Sequence, residues 1–158
     1  MPAEGEPVAS SEIPHPQPRT RPFLQPRSLA LVAGGGAVGT TVRHLLETAV
    51  VPAHGQLPWV TFVINVTGAF LLGALVTTLV RTGADVGWRR RVRLGVGTGA
   101  LGGYTTYSTF AVEACGLLGA GRVWASTGYA VGTVLAGVAA ASLGLLARWM
   151  VPLRGVAL

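Results

Sequence analysis

Two stretches of this chain, residues 57–80 and 123–147, contain no charged side chain at all. Each exceeds the ~20 residues a helix needs to cross the hydrocarbon core of a bilayer. A soluble fold can bury such helices only beneath amphipathic partners. Those partners are missing, because 50% of the 158 residues are hydrophobic and only 11% are charged, where a soluble domain carries roughly 25%. Lipid is the better account of the deficit. Two further apolar stretches, residues 28–51 and 94–118, bring the number of expected spans to four. All four are rich in Gly and Ala, which lets membrane helices approach closely. The expected fold class is an all-α membrane protein with four transmembrane helices, residues 28–158 forming one membrane domain.

Ahead of it, residues 1–27 hold most of the chain's prolines together with Glu4, Glu6 and Glu12. Such a stretch buries too little apolar surface to fold, so a disordered cytoplasmic tail is expected. It has no apolar stretch of its own and does not read as a signal peptide. All twelve basic residues are arginine, and the formal charge is +6. The arginines lie between spans instead of lining a face with aromatics, which argues against nucleic acid as a partner. Arg19, Arg21, Arg27, Arg81, Arg89, Arg90, Arg91, Arg93, Arg148 and Arg154 fall on one side of the membrane, and Arg122 alone on the other. The positive-inside rule then places both termini in the cytoplasm of a multi-pass plasma-membrane protein.

Enzymatic chemistry has little to work with. The single cysteine, Cys115, excludes an internal disulfide or a CxxC pair. His15, His44 and His54 are scattered, and the six acidic residues form no catalytic pairing. Gly34-Gly35-Gly36-Ala37-Val38-Gly39 fits G-x-G-x-x-G, but a dinucleotide site requires a preceding strand and an acid about 20 residues onward. That neighbourhood reads Pro58-Trp59-Val60, so the glycines are expected to serve close helix contact.

The polar residues inside the spans are more informative. Arg43 sits within the first and needs protein or water around it, with Glu47 in place to pair at i+4. Asn65 lies in the middle of the uncharged second span, where its amide must find a hydrogen bond within the protein. It reads either as glue between helices or as a donor in a pore. In the third span, five of the nine residues from Gly95 to Gly103 are glycine, and Thr105, Thr106, Ser108 and Thr109 follow among Tyr104, Tyr107 and Phe110. Glycines and consecutive hydroxyls weaken a helix. A helix broken at membrane depth is tolerated only where its backbone is buried in protein or lines a cavity. Freed carbonyls suit a small cation, and aromatic ring edges are electropositive enough to meet an anion.

These blocks resemble the Fluc (CrcB) fluoride channels across about residues 29–144. Gly34–Gly39 with Arg43 looks like that family's first-helix motif, and Val63-Ile64-Asn65-Val66-Thr67-Gly68-Ala69-Phe70 like its second. Gly102-Gly103-Tyr104-Thr105-Thr106-Tyr107-Ser108-Thr109-Phe110 resembles G-G-x-T-T-F-S-T-F, and Glu113 stands where the family has an acid. The resemblance implies a passive channel that exports fluoride and so relieves its toxicity. It also implies four helices, the third broken, in an antiparallel dual-topology dimer. A structural, non-transported Na⁺ at the dimer centre would rest on the carbonyls of Gly102 and Thr105. Asn65, Tyr107 and Phe110 would meet fluoride, with Ser108 and Thr109 on a polar track, Arg43 and Glu113 in structural or vestibule positions, and Thr133 the weakest match. Tyr107 departs from the family's Phe.

An antiparallel homodimer requires one chain inserted both ways, and ten arginines against one oppose that. The sequence therefore points to a single orientation and a paralogous partner of opposite bias, with the homodimer as the alternative. Two other readings compete: a small four-helix multidrug exporter, which would need a carboxylate deep in the first span, and a pore-silent structural subunit of a heterodimeric channel.

Overall fold

A computed structural model describes residues 25–50 and 56–150. Most of the expected N-terminal tail lies outside the described residues. Every element among those described is helical. Helix α1 spans Pro26–Ala49, with proline in its first turn, where a missing N–H costs nothing. Helix α2 spans Trp59–Thr82 and ends at Gly83, whose φ of +125° turns the chain away. A short α3, Gly87–Val92, carries three consecutive arginines. It runs straight into a nine-residue π-helix, Arg93–Leu101, and one α-helical turn, α4, Gly102–Tyr104. After a break at Thr105–Thr106 the chain continues as α5, Tyr107–Gly119, and finally as α6, Val123–Met150.

Among the described residues, three helices are long and apolar enough to cross a membrane: Pro26–Ala49, Trp59–Thr82 and Val123–Ala147. The third expected span is present as the chain of shorter helices from α3 to α5. The expected range of residues 94–118 therefore begins within the π-helix and misses α3 altogether. The cause is local. The arginine run of α3 hides it from a hydropathy reading, and the glycines that follow favour no single helix type.

Packing joins alternate segments. Helix α1 lies mainly against the π-helix and α4, whereas α2 lies mainly against α6. Both seams depend on absent side chains. A Cβ on Gly35 would strike the carbonyl of Gly95, and one on Gly39 the carbonyl of Ala100. A Cβ on Gly99 would meet Val32, and one on Gly103 the carbonyl of Gly36. Gly35 and Gly39 therefore face Gly95, Gly99 and Gly103 as two interlocked small-residue rows, the arrangement that lets membrane helices touch backbone to backbone. This is the close contact expected of the G-x-G-x-x-G stretch. Gly73 against Ala141 and Gly144 against Phe70 do the same for α2 and α6.

The distribution of polarity is inverted relative to a soluble protein. Val80, Val112, Leu135, Val138 and Trp124 face outward, while Thr61, Thr77, Thr106, Ser126 and Thr133 are buried. Hydroxyls go inside because the interior supplies acceptors and lipid does not. Ser126, for example, donates to the carbonyl of Ala114 at 2.7 Å and so ties α6 to α5.

Candidate functional site

The break is held open by a side chain from another helix. Thr105 and Thr106 are extended, with ψ of 156° and 123°. The Thr105 carbonyl and the Thr106 N–H thereby leave the helical hydrogen-bond ladder, while the Thr105 N–H keeps its bond to the Leu101 carbonyl. In an unbroken helix the Thr106 N–H would donate to the Gly102 carbonyl four residues back. Here it donates to Oδ1 of Asn65 at 2.9 Å, and Nδ2 of Asn65 donates to the Thr106 carbonyl at 3.0 Å. The Asn65 amide thus pairs with Thr106 as a neighbouring β-strand would. One N–H of its NH₂ group is left over, since a primary amide has two donors.

Each broken end is also capped. Thr106 Oγ1 accepts the Thr109 N–H at 3.1 Å and donates to Thr109 Oγ1 at 3.1 Å, an N-cap for α5. Ser108 Oγ lies 3.3 Å from the same hydroxyl. On the other side, the Leu101 carbonyl accepts both the N–H and the hydroxyl of Thr105, each at 3.0 Å. Tyr104 and Thr67 join hydroxyls at 3.0 Å, fixing α4 to α2.

Two grooves meet at this wall. One, of about 290 Å³, is lined by Asn65, Thr105, Thr106, Tyr107, Phe110, Thr133 and Val134. The other, of about 310 Å³, is lined by Asn65, Gly68, Leu72, Gly97, Gly102 and Thr105, among others. Asn65 and Thr105 belong to both. Phe110 stands between two rings, 6.1 Å from Tyr107 and 5.4 Å from Tyr129, both tilted. Tyr107 is 81% exposed, so its own chain does not enclose it.

Glu113 lies one helical turn beyond Phe110 and bridges three helices. It accepts from Thr61 of α2 and from Tyr129 of α6, each at 2.7 Å. Arg43 reaches across from α1 to the Thr105 carbonyl, where Nη1 donates at 3.4 Å. Its Nε lies 3.9 Å from Glu47, the pairing expected at i+4, although too long for a hydrogen bond.

The residues singled out in the sequence therefore converge. Asn65, Thr105, Tyr107, Phe110 and Thr133 share one groove, with Ser108 and Thr109 attached through Thr106. Gly102 lies in the second groove, Arg43 touches Thr105, and Glu113 connects through Phe110 and Tyr129. Thr61 and Tyr129 have no place in the sequence reading, and Thr106 enters it only as one hydroxyl of the run, without a role of its own. The available signal was the carboxylate itself: an ionisable group at membrane depth requires named partners, and hydroxyls are the donors those spans offer.

A family model described as "CrcB-like protein, Camphor Resistance (CrcB)" matches residues 30–145. The chain belongs to the CrcB family. A relative named fluoride-specific ion channel FluC 2 from Leifsonia xyli is 49% identical over 122 residues, covering 77% of this chain and 83% of the relative. Another FluC 2, from Nocardia farcinica, is 40% identical over 84% of this chain and 93% of its own length. A FluC 1 from Natronomonas pharaonis is 48% identical over 60% and 74%. The family is one of ion channels, not enzymes. That removes the ground for the multidrug-exporter reading, and Glu47, beside Arg43 near the end of α1, is not the deep carboxylate an exporter requires.

Proposed function

We propose that this chain is a subunit of a fluoride-specific channel that passively exports fluoride from the cytoplasm. The observation that carries the reading is the groove at the broken helix. It brings together an amide with an N–H to spare, hydroxyls, and the rings of Phe110 and Tyr107, in a chain whose sequence relatives are named fluoride-specific ion channels. Fluoride is small and strongly hydrated, so a path for it must replace its water with donors and positive ring edges. Outward flow needs no fuel, because an inside-negative potential favours anion exit by ~2.3 kcal/mol per charge per 100 mV.

A structural Na⁺ fits the donor set. The carbonyls of Gly102 and Thr105 are hard oxygen donors of the kind such cations take. Gly102 has lost its helical partner to Asn65, and the Thr105 carbonyl carries only the long Arg43 contact. Bound there, Na⁺ would neutralise the converging dipoles of the break. Two carbonyls are too few to surround an ion, which favours a dimer whose second subunit supplies the rest.

Loop charge favours a single orientation, with both termini cytoplasmic and a partner of the opposite bias. Relatives numbered FluC 1 and FluC 2 suit such a pairing. Fluoride efflux from liposomes tests the proposal. Efflux is expected with the chain and its partner, or with the chain alone if it forms homodimers, and Phe110→Ile should abolish it. Absence of fluoride flux in both arrangements would leave a pore-silent structural subunit.

A further inference from the structure

At the arginine-rich end of the bundle, away from the ion path, a groove of about 290 Å³ is lined by Val76, Leu79, Val80, Gly83, Asp85, Arg89 and Arg93. Its two halves differ in chemistry. The α2 side is aliphatic, and Val80 is 73% exposed. The other side carries two guanidinium groups and one carboxylate. The carboxylate is already engaged: Arg93 Nη2 donates to Asp85 Oδ2 at 2.7 Å, and its Nε contacts both carboxylate oxygens at 3.0 Å. Arg89 is held in place differently. Its guanidinium carbon lies 5.5 Å from the centre of the Trp88 ring, and the side chain rests over Gly83, where a Cβ would come within 2.9 Å of Nη2. Its Nε is buried without a hydrogen-bond partner. With Nε shielded, it is as a lining side chain of the groove that Arg89 places its guanidinium to meet an acceptor there.

We infer that this groove binds an anionic phospholipid, with the headgroup phosphate on Arg89 and an acyl chain along Val76, Leu79 and Val80. Charge complementarity and position both select this occupant. Guanidinium groups recognise phosphate oxygens through paired donors. The aliphatic half of the groove continues the lipid-facing surface of α2, whereas the charged half begins where that helix ends. Basic pockets at the ends of membrane helices are suited to anionic headgroups. Trp88, 52% exposed on α3, is the residue type that sits at headgroup level. Arg90 and Arg91 on the same short helix add positive charge around the site, and Asp85 is the acidic residue facing it.

The test uses the full chain purified in a neutral detergent. Its thermal unfolding midpoint is followed while phosphatidylglycerol or phosphatidylcholine is added, and native mass spectrometry counts retained lipid. Phosphatidylglycerol is expected to raise the midpoint saturably with one lipid held per chain, phosphatidylcholine much less. Arg89→Gln should weaken the effect roughly fivefold, and Arg122→Gln, at the opposite end, should leave it unchanged. Asp85→Asn, in an exposed turn, should strengthen binding, which gives an arm of opposite sign should Arg89→Gln fold poorly. Equal stabilisation by both lipids, equal loss in the Arg122 variant, unchanged binding in Asp85→Asn, or the same shift from glycerol phosphate alone would each overturn the assignment.

Discussion

The side-chain amide of Asn65 pairs with the backbone of Thr106 in both directions, accepting its N–H at 2.9 Å and donating to its carbonyl at 3.0 Å. One side chain of α2 thus does for the broken segment what a neighbouring strand does in a sheet. The break is consequently a fixed feature of the bundle.

Asn65→Asp tests this directly. A carboxylate can still accept the Thr106 N–H but cannot donate to the Thr106 carbonyl, so two acceptors are left facing each other. The expected cost is about 1–3 kcal/mol of stability, read as a lower unfolding midpoint. Fluoride efflux should fall at least tenfold, because ~1.4 kcal/mol of added repulsion in the path suffices for that. Retention of wild-type efflux would remove Asn65 from the path.

Glu113 is expected to act as a structural bridge. In Glu113→Gln only one of the two hydroxyls, Thr61 or Tyr129, keeps its acceptor oxygen. The loss should be about 1–3 kcal/mol. Combining it with Tyr129→Phe should cost less than the sum of the single variants, since both disrupt one network. Additive unfolding energies would refute the bridge.

The glycines of the first helix should separate into two classes. Gly39→Ala forces a methyl group into the Ala100 carbonyl, with an expected loss of about 1–3 kcal/mol. Gly34→Ala meets nothing within 4 Å and should be neutral or stabilising, by up to ~1 kcal/mol. Thermal unfolding of the two variants side by side reads the difference.

The Asp85 carboxyl is held below its ordinary value of 3.8 first by the hydrogen bonds from Arg93 and then by the charges of Arg93 and Arg90. A lowered native pKa means that the folded chain binds this proton less readily than the unfolded chain. Its contribution is therefore present at neutral pH and is lost as pH falls through the acid range. An unfolding midpoint followed downward from neutral pH should decline less in Asp85→Asn than in the wild type. High salt should narrow the difference, because the pair is exposed to solvent.

Hydropathy is enough to find α1, α2 and α6, because a bilayer demands length and lack of charge from each helix independently. The site of the break was legible for a similar reason: Gly102, Gly103 and the hydroxyl run from Thr105 to Thr109 weaken a helix whatever surrounds it. Partnerships were harder. Nothing local to Asn65 distinguishes glue from pore donor, and its pairing with a peptide 41 residues away exists only after α2 and the broken segment have docked. Thr61 and Tyr129 were hidden likewise, since each looks like an ordinary membrane-helix residue until Glu113 lies between them. The π-helix and α3 left no periodic signal, being rich in glycine and arginine respectively.

The alternation of the two seams bears on how the protein is made. Segments leave the ribosome in order, but α1 has its glycine-matched surface on residues 95–103, and α2 has its own on α6. Neighbouring spans therefore cannot settle as finished hairpins while synthesis continues. The first helix must wait in lipid for the third segment, and the second for the last. Assembly completes only when the final span has been released, and a truncated chain would present its glycine rows to the quality-control machinery of the membrane.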